Sequence, residues 1–326
     1  MLFIGSPPGT GHCPAHCSPC LSPRHEYAYS CRDTSAGAWG GVVRPDPVPV
    51  WYHWTAENHP RPHRYRRRRC GPVSTETHPG TLFGANAMNA VLDLWRCDLG
   101  EVPESVWART GLEVLILAGN GLTTISPKIG DLRCLRTLDL GHNALTSVPG
   151  ELGRLAALTD FLYLHHNRLA GLPESLGRLT RLRYLNISEN SLTDLPRSIG
   201  TMHGLVELRA QHNRLTALPG TVGGLSRLRE LWLRGNALQG LPHSTAGMTQ
   251  LRHLDLRENA LTEIPQPLAG LPLLRHLDLR ANQVTKLPGW LASMPSLEKL
   301  DLRWNPVEPA PRLLHDLEQR GCVVLA

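Results

Sequence analysis

Four groups of residues have types and spacings that could do chemistry. Ser6-Pro-Pro-Gly9-Thr10-Gly11-His12-Cys13 follows the apolar Leu2-Phe3-Ile4 and has the glycine content of a phosphate-cradling loop. Such a loop needs a lysine to reach the terminal phosphates and a Ser or Thr hydroxyl for magnesium. His12 and Cys13 stand in those places, so nucleotide binding is not expected. His12, Cys13, His16, Cys17, Cys20 and Cys31 are zinc-type donors and include a Cys17-x-x-Cys20 pair. A zinc module brings a second pair, and only Cys31 is in range. Arg66–Arg69, with Arg64 and Tyr65 before it, is a short basic run that reads as solvated charge. His142, His165 and His166 fall on neighbouring repeats, where three imidazoles could approach a metal; strand-end histidines read more simply as unliganded. No Ser, Cys or carboxylate stands in a nucleophile or paired-acid arrangement. The expectation is no metal, no cofactor and no catalysis.

The elements that would have to position such groups begin only at Met88. Residues 1–87 hold 12 of the 27 Pro and 5 of the 8 Cys, but only 11 Leu, Ile, Val or Phe. That is below the ~20% found in chains that build a core. Burial cannot offset an ordering cost of ~1–2 kcal/mol per residue there, so residues 1–87 are expected to be disordered. Met88 is expected to be the natural start, with residues 1–87 not part of the natural protein. MLFIGSPP lacks a basic stretch and apolar length, so it is not a secretory signal, and no run approaches the ~18 apolar residues of a membrane span. A cytoplasmic chain follows, with Cys97, Cys134 and Cys322 as free thiols. Arg dominates the 34 basic residues, with Lys only at 128, 286 and 299; that skew fits the coding bias of a GC-rich, bacterial genome.

From Met88 the chain repeats. A ladder of asparagines runs through it: Asn120, Asn143, Asn167, Asn190, Asn213, Asn236, Asn259, Asn282 and Asn305, with Cys97 one period earlier. The spacing is 23 residues except for 24 between Asn143 and Asn167. One unit reads LRTLDLGHNALTSVPGELGRLAA. The alternation in Leu138-Asp139-Leu140 predicts a short strand with one buried face. The Asn amide both donates and accepts, so it can satisfy backbone groups buried between neighbouring coils; leaving them unpaired costs ~1–3 kcal/mol each. Pro then starts a helical turn, and Leu-Gly-x-Leu-x-x-Leu returns to the next strand. In the second unit Ser126-Pro127 replaces the usual order, which predicts an altered turn. From about 306, RLLHDLEQRG and Cys322-Val-Val-Leu read as a C-terminal cap.

With ten units of Leu-x-x-Leu-x-Leu-x-x-Asn-x-Leu followed by Leu-Pro, residues 88–326 resemble the leucine-rich repeat family. The 23-residue Leu-Pro type is similar to the Ras-suppressor, Scribble-like and plant intracellular Ras-group-related repeats. The resemblance implies an α/β leucine-rich-repeat solenoid (horseshoe) of about ten coils. Its parallel sheet would form the concave face, and short helices and turns the convex face. It also implies a non-catalytic protein-interaction scaffold. The alternative is a substrate-recognition subunit of a signalling or ubiquitin-ligase/hydrolase-type complex.

Residues between the strand leucines point to the concave sheet surface. They form an aromatic middle of Phe161, Tyr163, His165, His166 and Tyr184, with Arg209 and Trp232 beyond it. Arg234, Arg257, Arg280 and Arg303 stand beside Asp255, Asp278 and Asp301 as a self-neutralising lattice. Trp95 and Trp304 complete the candidate partner-binding set. Exposed aromatics on a rigid sheet have the composition of an interface hot spot. The spare residue before Asn167 leaves open a bulge that turns Phe161 inward. From residue 88 on, 25 basic residues face 23 acidic ones, too even a balance for a nucleic-acid groove. The expected partner is a protein or peptide; nucleic acid, membrane and small-molecule substrate are not expected, and the chain is expected to be a monomer.

Overall fold

The computed structural model describes residues 90–326. The phosphate-loop, zinc, arginine-run, disorder and Met88 readings lie outside the described residues.

Each coil opens with a three-residue strand: β1 (Val91–Asp93), β2 (Val114–Ile116), β3 (Thr137–Asp139), β4 (Phe161–Tyr163), β5 (Tyr184–Asn186), β6 (Glu207–Arg209), β7 (Glu230–Trp232), β8 (His253–Asp255), β9 (His276–Asp278) and β10 (Lys299–Asp301). They pair in chain order, all parallel, with Leu115, Leu138, Leu162 and Leu185 in one register row. Those leucines and their equivalents from Leu115 to Leu300 are buried, Leu92 in the first coil is half-buried, and the residues on either side lie on the opposite face of the sheet. The period-2 alternation therefore does what the sequence predicts. The residue before each ladder position turns left-handed, with φ between 51° and 70° from Arg96 to Trp304.

The asparagine ladder holds those turns. Asn213 Nδ2 donates to Ile187 O in the preceding coil (3.0 Å) and to Ala210 O in its own (3.1 Å), while Oδ1 accepts from Leu192 N (3.0 Å). The same bonds recur at Asn143, Asn236, Asn259 and Asn282. Asn190 repeats them between Leu164 O, Ile187 O and Leu169 N, each at 3.0 Å. Asn305, the last rung, repeats them between Leu279 O (2.8 Å), Leu302 O (2.8 Å) and Val284 N (3.0 Å). Every rung ties its coil to the one before it. Burial varies along the ladder: Asn120, Asn213 and Asn282 are buried, whereas Asn143, Asn167, Asn190, Asn236, Asn259 and Asn305 are half-buried. The bonding is thus more uniform than the shielding.

The convex side is built mostly from five-residue 3₁₀ turns, such as Gly150–Arg154 and Glu174–Arg178. The one α-helical turn among the coils is α1 (Glu104–Trp107). Few residues separate the turn proline from the returning leucine, and short i→i+3 bonds (Leu152 N to Pro149 O, 3.1 Å) close the segment. The glycine of Leu-Gly allows neighbouring turns to touch: a Cβ at Gly153 would overlap the Ser175 carbonyl, and one at Gly200 the Thr221 carbonyl. The predicted alteration at Ser126-Pro127 is small. Ser126 takes the same extended backbone as Pro149 elsewhere, and its hydroxyl accepts from Lys128 N.

The spare residue lies at Thr159–Asp160, just before β4. In the preceding coil Arg136 N and Thr137 N both donate to Glu113 O; here the insertion supplies two carbonyls, Thr159 O for Arg183 N and Asp160 O for Tyr184 N. The bulge is absorbed upstream, and Phe161 keeps its place in the strand opposite Thr137. It does not swing inward.

The C-terminal cap is α2 (Pro311–Gln319) followed by β11 (Val323–Leu325). β11 pairs in parallel with β10, adding an eleventh strand to the ten expected. Leu317 and Cys322 are buried over the last coil. No helix of the described residues is long and apolar enough to cross a membrane.

One cysteine expectation is corrected. Cys134 and Cys322 are free, but Cys97 is disulfide-bonded. Its amide takes the rung bond to Asn120 Oδ1 (2.8 Å). The residue is half-buried in the first described coil, whereas Cys322 is buried. The expectation of a free thiol therefore fails at this residue.

Candidate protein-interaction face

The last residue of six strands has a structural task that the sequence reading missed. Asp93, Asp139, Asn186, Asp255, Asp278 and Asp301 each accept a hydrogen bond from the backbone N–H two residues on, at 2.8–3.4 Å. This closes an Asx turn where the strand ends. Ile116, Tyr163, Arg209 and Trp232 occupy the same position and cannot accept that bond. Three of these four departures fall in β4, β6 and β7.

The side chains there form one cluster. Phe161 stacks on Tyr163 (ring centroids 5.9 Å), and Tyr184 packs against both, at 5.5 and 5.2 Å. Arg209 lies between Tyr184 (5.9 Å) and Trp232 (5.5 Å), with its Nε donating to Glu207. Trp232 stacks on His253 (4.3 Å) and donates its indole N–H to Glu230 (3.2 Å). The rings are half-buried by one another rather than fully exposed, because each large side chain leans on the next coil's. An aromatic strip so packed loses little side-chain entropy on docking.

The histidines form a second group at the edge of the cluster. His142 stacks on His166 at 4.3 Å and meets His165 edge-on at 4.8 Å, above the bare Gly141. Burial, reinforced by the neighbouring His142 and His166, pushes His165 down to about 4, so it is neutral at pH 7. Its Nδ1 is buried without a hydrogen-bond partner. Burial likewise pushes the Tyr163 hydroxyl up to about 12 and Asp139 up to about 6. Among the described residues no group of three or more His, Cys, Asp or Glu is arranged to hold a metal.

The basic column is a different kind of surface. Arg280 pairs with Asp278 and lies 3.5 Å from Asp301; Arg303 pairs with Asp301 at 2.8 Å. Arg234 makes a two-point contact with Glu258 (3.1 and 3.1 Å), which Arg257 also reaches. The lattice is neutralised from within. Trp304 stands apart at the far end, 66% exposed, near Arg303 (5.7 Å) and Arg257 (6.0 Å). Trp95 lies at the opposite end, with Arg96 over its ring. The structure thus brings Phe161, Tyr163, His165, His166, Tyr184, Arg209 and Trp232 into one continuous zone and leaves Trp95, Trp304 and the arginine lattice outside it. His253, which backs Trp232, was not among the sequence candidates.

Comparison with known proteins agrees with this architecture. A stretch of 71 residues is 38% identical to the E3 ubiquitin-protein ligase LRSAM1 of Mus musculus, covering 20% of this chain and 10% of that protein. The chain therefore matches only a tenth of that relative's length. The leucine-rich repeat domain of the type III effector XopL superposes with a TM-score of 0.60 at 26% identity, over 68% of this chain and 78% of that one. The leucine-rich repeat ectodomain of the Arabidopsis thaliana membrane receptor kinase GASSHO1/SCHENGEN3, solved with CASPARIAN STRIP INTEGRITY FACTOR 2, gives 0.58 at 34% identity, over 65% and 26%. The family model described as leucine rich repeat matches residues 110–169, 159–215, 203–261, 226–284 and 265–307. Ten coils of one motif, an unbroken asparagine ladder and that match over most of the repeats place this chain in the leucine-rich repeat family.

Proposed function

We propose that this chain is a non-catalytic scaffold that docks a folded protein or peptide on the concave face of β4–β7. One observation carries the reading. At Tyr163, Arg209 and Trp232 the strand-end Asx turn used by six other coils is given up, and large side chains stand there instead. Such residues contribute nothing to the turn, so their identity answers to something outside the fold. The receptor kinase ectodomain, solved with a bound factor, supports a peptide or protein as the class of partner. An open sheet excludes no water, which argues against catalysis on it. The test is an affinity pull-down with the full chain and with Tyr163→Ala/Tyr184→Ala. The main captured protein should be lost from the variant while its circular dichroism is kept. Undiminished capture contradicts the reading.

The similarity to the mouse ubiquitin ligase favours a second reading, in which the same face recognises substrate for a ligase-type complex. It differs in one respect: a ligase subunit should co-purify with the chain.

A further inference from the structure

Beside the aromatic zone, on the strand-end side of β4–β8, lies an open depression of about 330 Å³. Its acceptors are under-used and its fixed donors are taken. Gln211 Oε1, on its wall, is buried and has no hydrogen-bond partner. Asp255 is 8% exposed; it accepts one bond from Arg257 N (3.0 Å) and forms no ion pair among the described residues. The basic side chain nearest Glu189 is His212, whose Nε2 is 3.9 Å away. Arg234, the one arginine in the lining, has both Nε and Nη2 engaged by Glu258. The Trp232 ring forms part of the wall, held in place by Glu230 and His253.

We propose that this depression is a pocket for one basic side chain of the docked partner, a guanidinium or an ammonium. Asp255 and Glu189 supply the counter-charge and Gln211 Oε1 accepts a hydrogen bond. The alkyl stem lies against Trp232, whose ring face also attracts the cation. Arg234 and Arg257 bear on Asp255 electrostatically without pairing with it; an anionic group would meet two carboxylates and an amide oxygen, and a neutral one would give neither carboxylate a direct ion pair. The pocket therefore selects by charge next to a zone that binds by ring contact. This assignment rests on the concave face being the docking surface, but it can be tested without a protein partner, so the two readings fail separately.

The probe is Nα-acetyl-arginine amide, with Nα-acetyl-lysine amide as a second cation and Nα-acetyl-citrulline amide as the neutral isostere. Each is titrated into the full, isotope-labelled chain while the Gln211 side-chain amide and the Trp232 indole N–H are followed by NMR. Both cations should give saturable shifts at these two groups, with a dissociation constant on the order of 1 mM, and citrulline should give none. Asp255→Asn and Glu189→Gln should each weaken binding about five-fold. The Asn variant keeps the Asx turn, as Asn186 does naturally, so a folded protein is expected. Equal binding of citrulline, absence of saturable shifts with arginine, or shifts that both variants leave unchanged would overturn the assignment.

Discussion

The coils of β8–β10 and the coils of β4, β6 and β7 share one backbone and differ at the last residue of the strand. In the first group that residue is Asp255, Asp278 or Asp301; its carboxylate closes the strand-end turn, and in the latter two it also neutralises an arginine. In the second group it is Tyr163, Arg209 or Trp232, and the turn bond is absent. At Asp278 and Asp301 the carboxylate's capacity is used inside the molecule and the surface is neutral, whereas Asp255 closes its turn and forms no ion pair among the described residues. Where the carboxylate is lost, a large side chain stands on the sheet face without serving the turn. In a repeat protein, then, a functional position shows itself as a place where the structural pattern is broken without harm to the fold.

The largest effects should fall on what the two regions have in common. Asn213 in the central coils and Asn282 in the last coils are 8% and 6% exposed and make equivalent bonds. Asn213→Ala and Asn282→Ala should each cost about 2–4 kcal/mol through unpaired buried backbone groups, read as the shift of the urea midpoint at unchanged slope. Clearly unequal losses would break the claim that the regions differ only on the sheet face. Next comes Asp301→Ala, expected to cost about 2–3 kcal/mol, because it removes the turn acceptor and leaves Arg303 without its buried carboxylate. Trp232→Ala, at the equivalent position, should cost less in stability and more in binding. If the two substitutions change stability and binding in the same proportion, the comparison fails.

Much of this was legible in the sequence. The 23-residue period placed the ten coil strands and every rung of the ladder from Asn120 to Asn305, because strand, turn and rung are local patterns repeated ten times; the cap showed as the break in that pattern, but its strand β11 was not foreseen. The neutral character of the arginine lattice could be read from the adjoining Asp column. What escaped depends on lateral packing between coils: the role of Gly153 and Gly200 in letting turns touch, the upstream absorption of the bulge that keeps Phe161 on the sheet, and the half-burial of rings by their neighbours. The Asx turn was visible as a recurring Asp, but was read only as a counter-charge. The pocket around Gln211 and Asp255 joins residues from five coils, so no spacing announces it.

Asp139 offers a smaller effect with a defined sign. Burial raises it from 3.8 to about 6 in the folded chain, so the native state holds the proton more tightly than the unfolded state does. The group contributes stability that is fully present below pH 3.8 and is lost as pH rises through about 6. Asp139→Asn keeps the acceptor for Gly141 N, as Asn186 keeps it for Ser188 N. Relative to that variant, the natural chain should weaken by about 1–3 kcal/mol over this window. Parallel stability–pH curves for the two would show that the carboxyl is not burdened by burial. The smallest effect is expected from Arg257→Gln with Arg280→Gln, which should change the salt dependence and on-rate of partner binding more than its off-rate. A dominant off-rate change would move the docking surface into the last coils.

On the proposed function a partner sits on the central coils and not on the charge lattice. Site-specific photo-crosslinking tests it directly, with a photoreactive residue introduced at Tyr184 in one sample of the full chain and at Arg280 in another. A partner crosslinked through position 184 and not through position 280 is the predicted result; efficient crosslinking at 280 with none at 184 would contradict it.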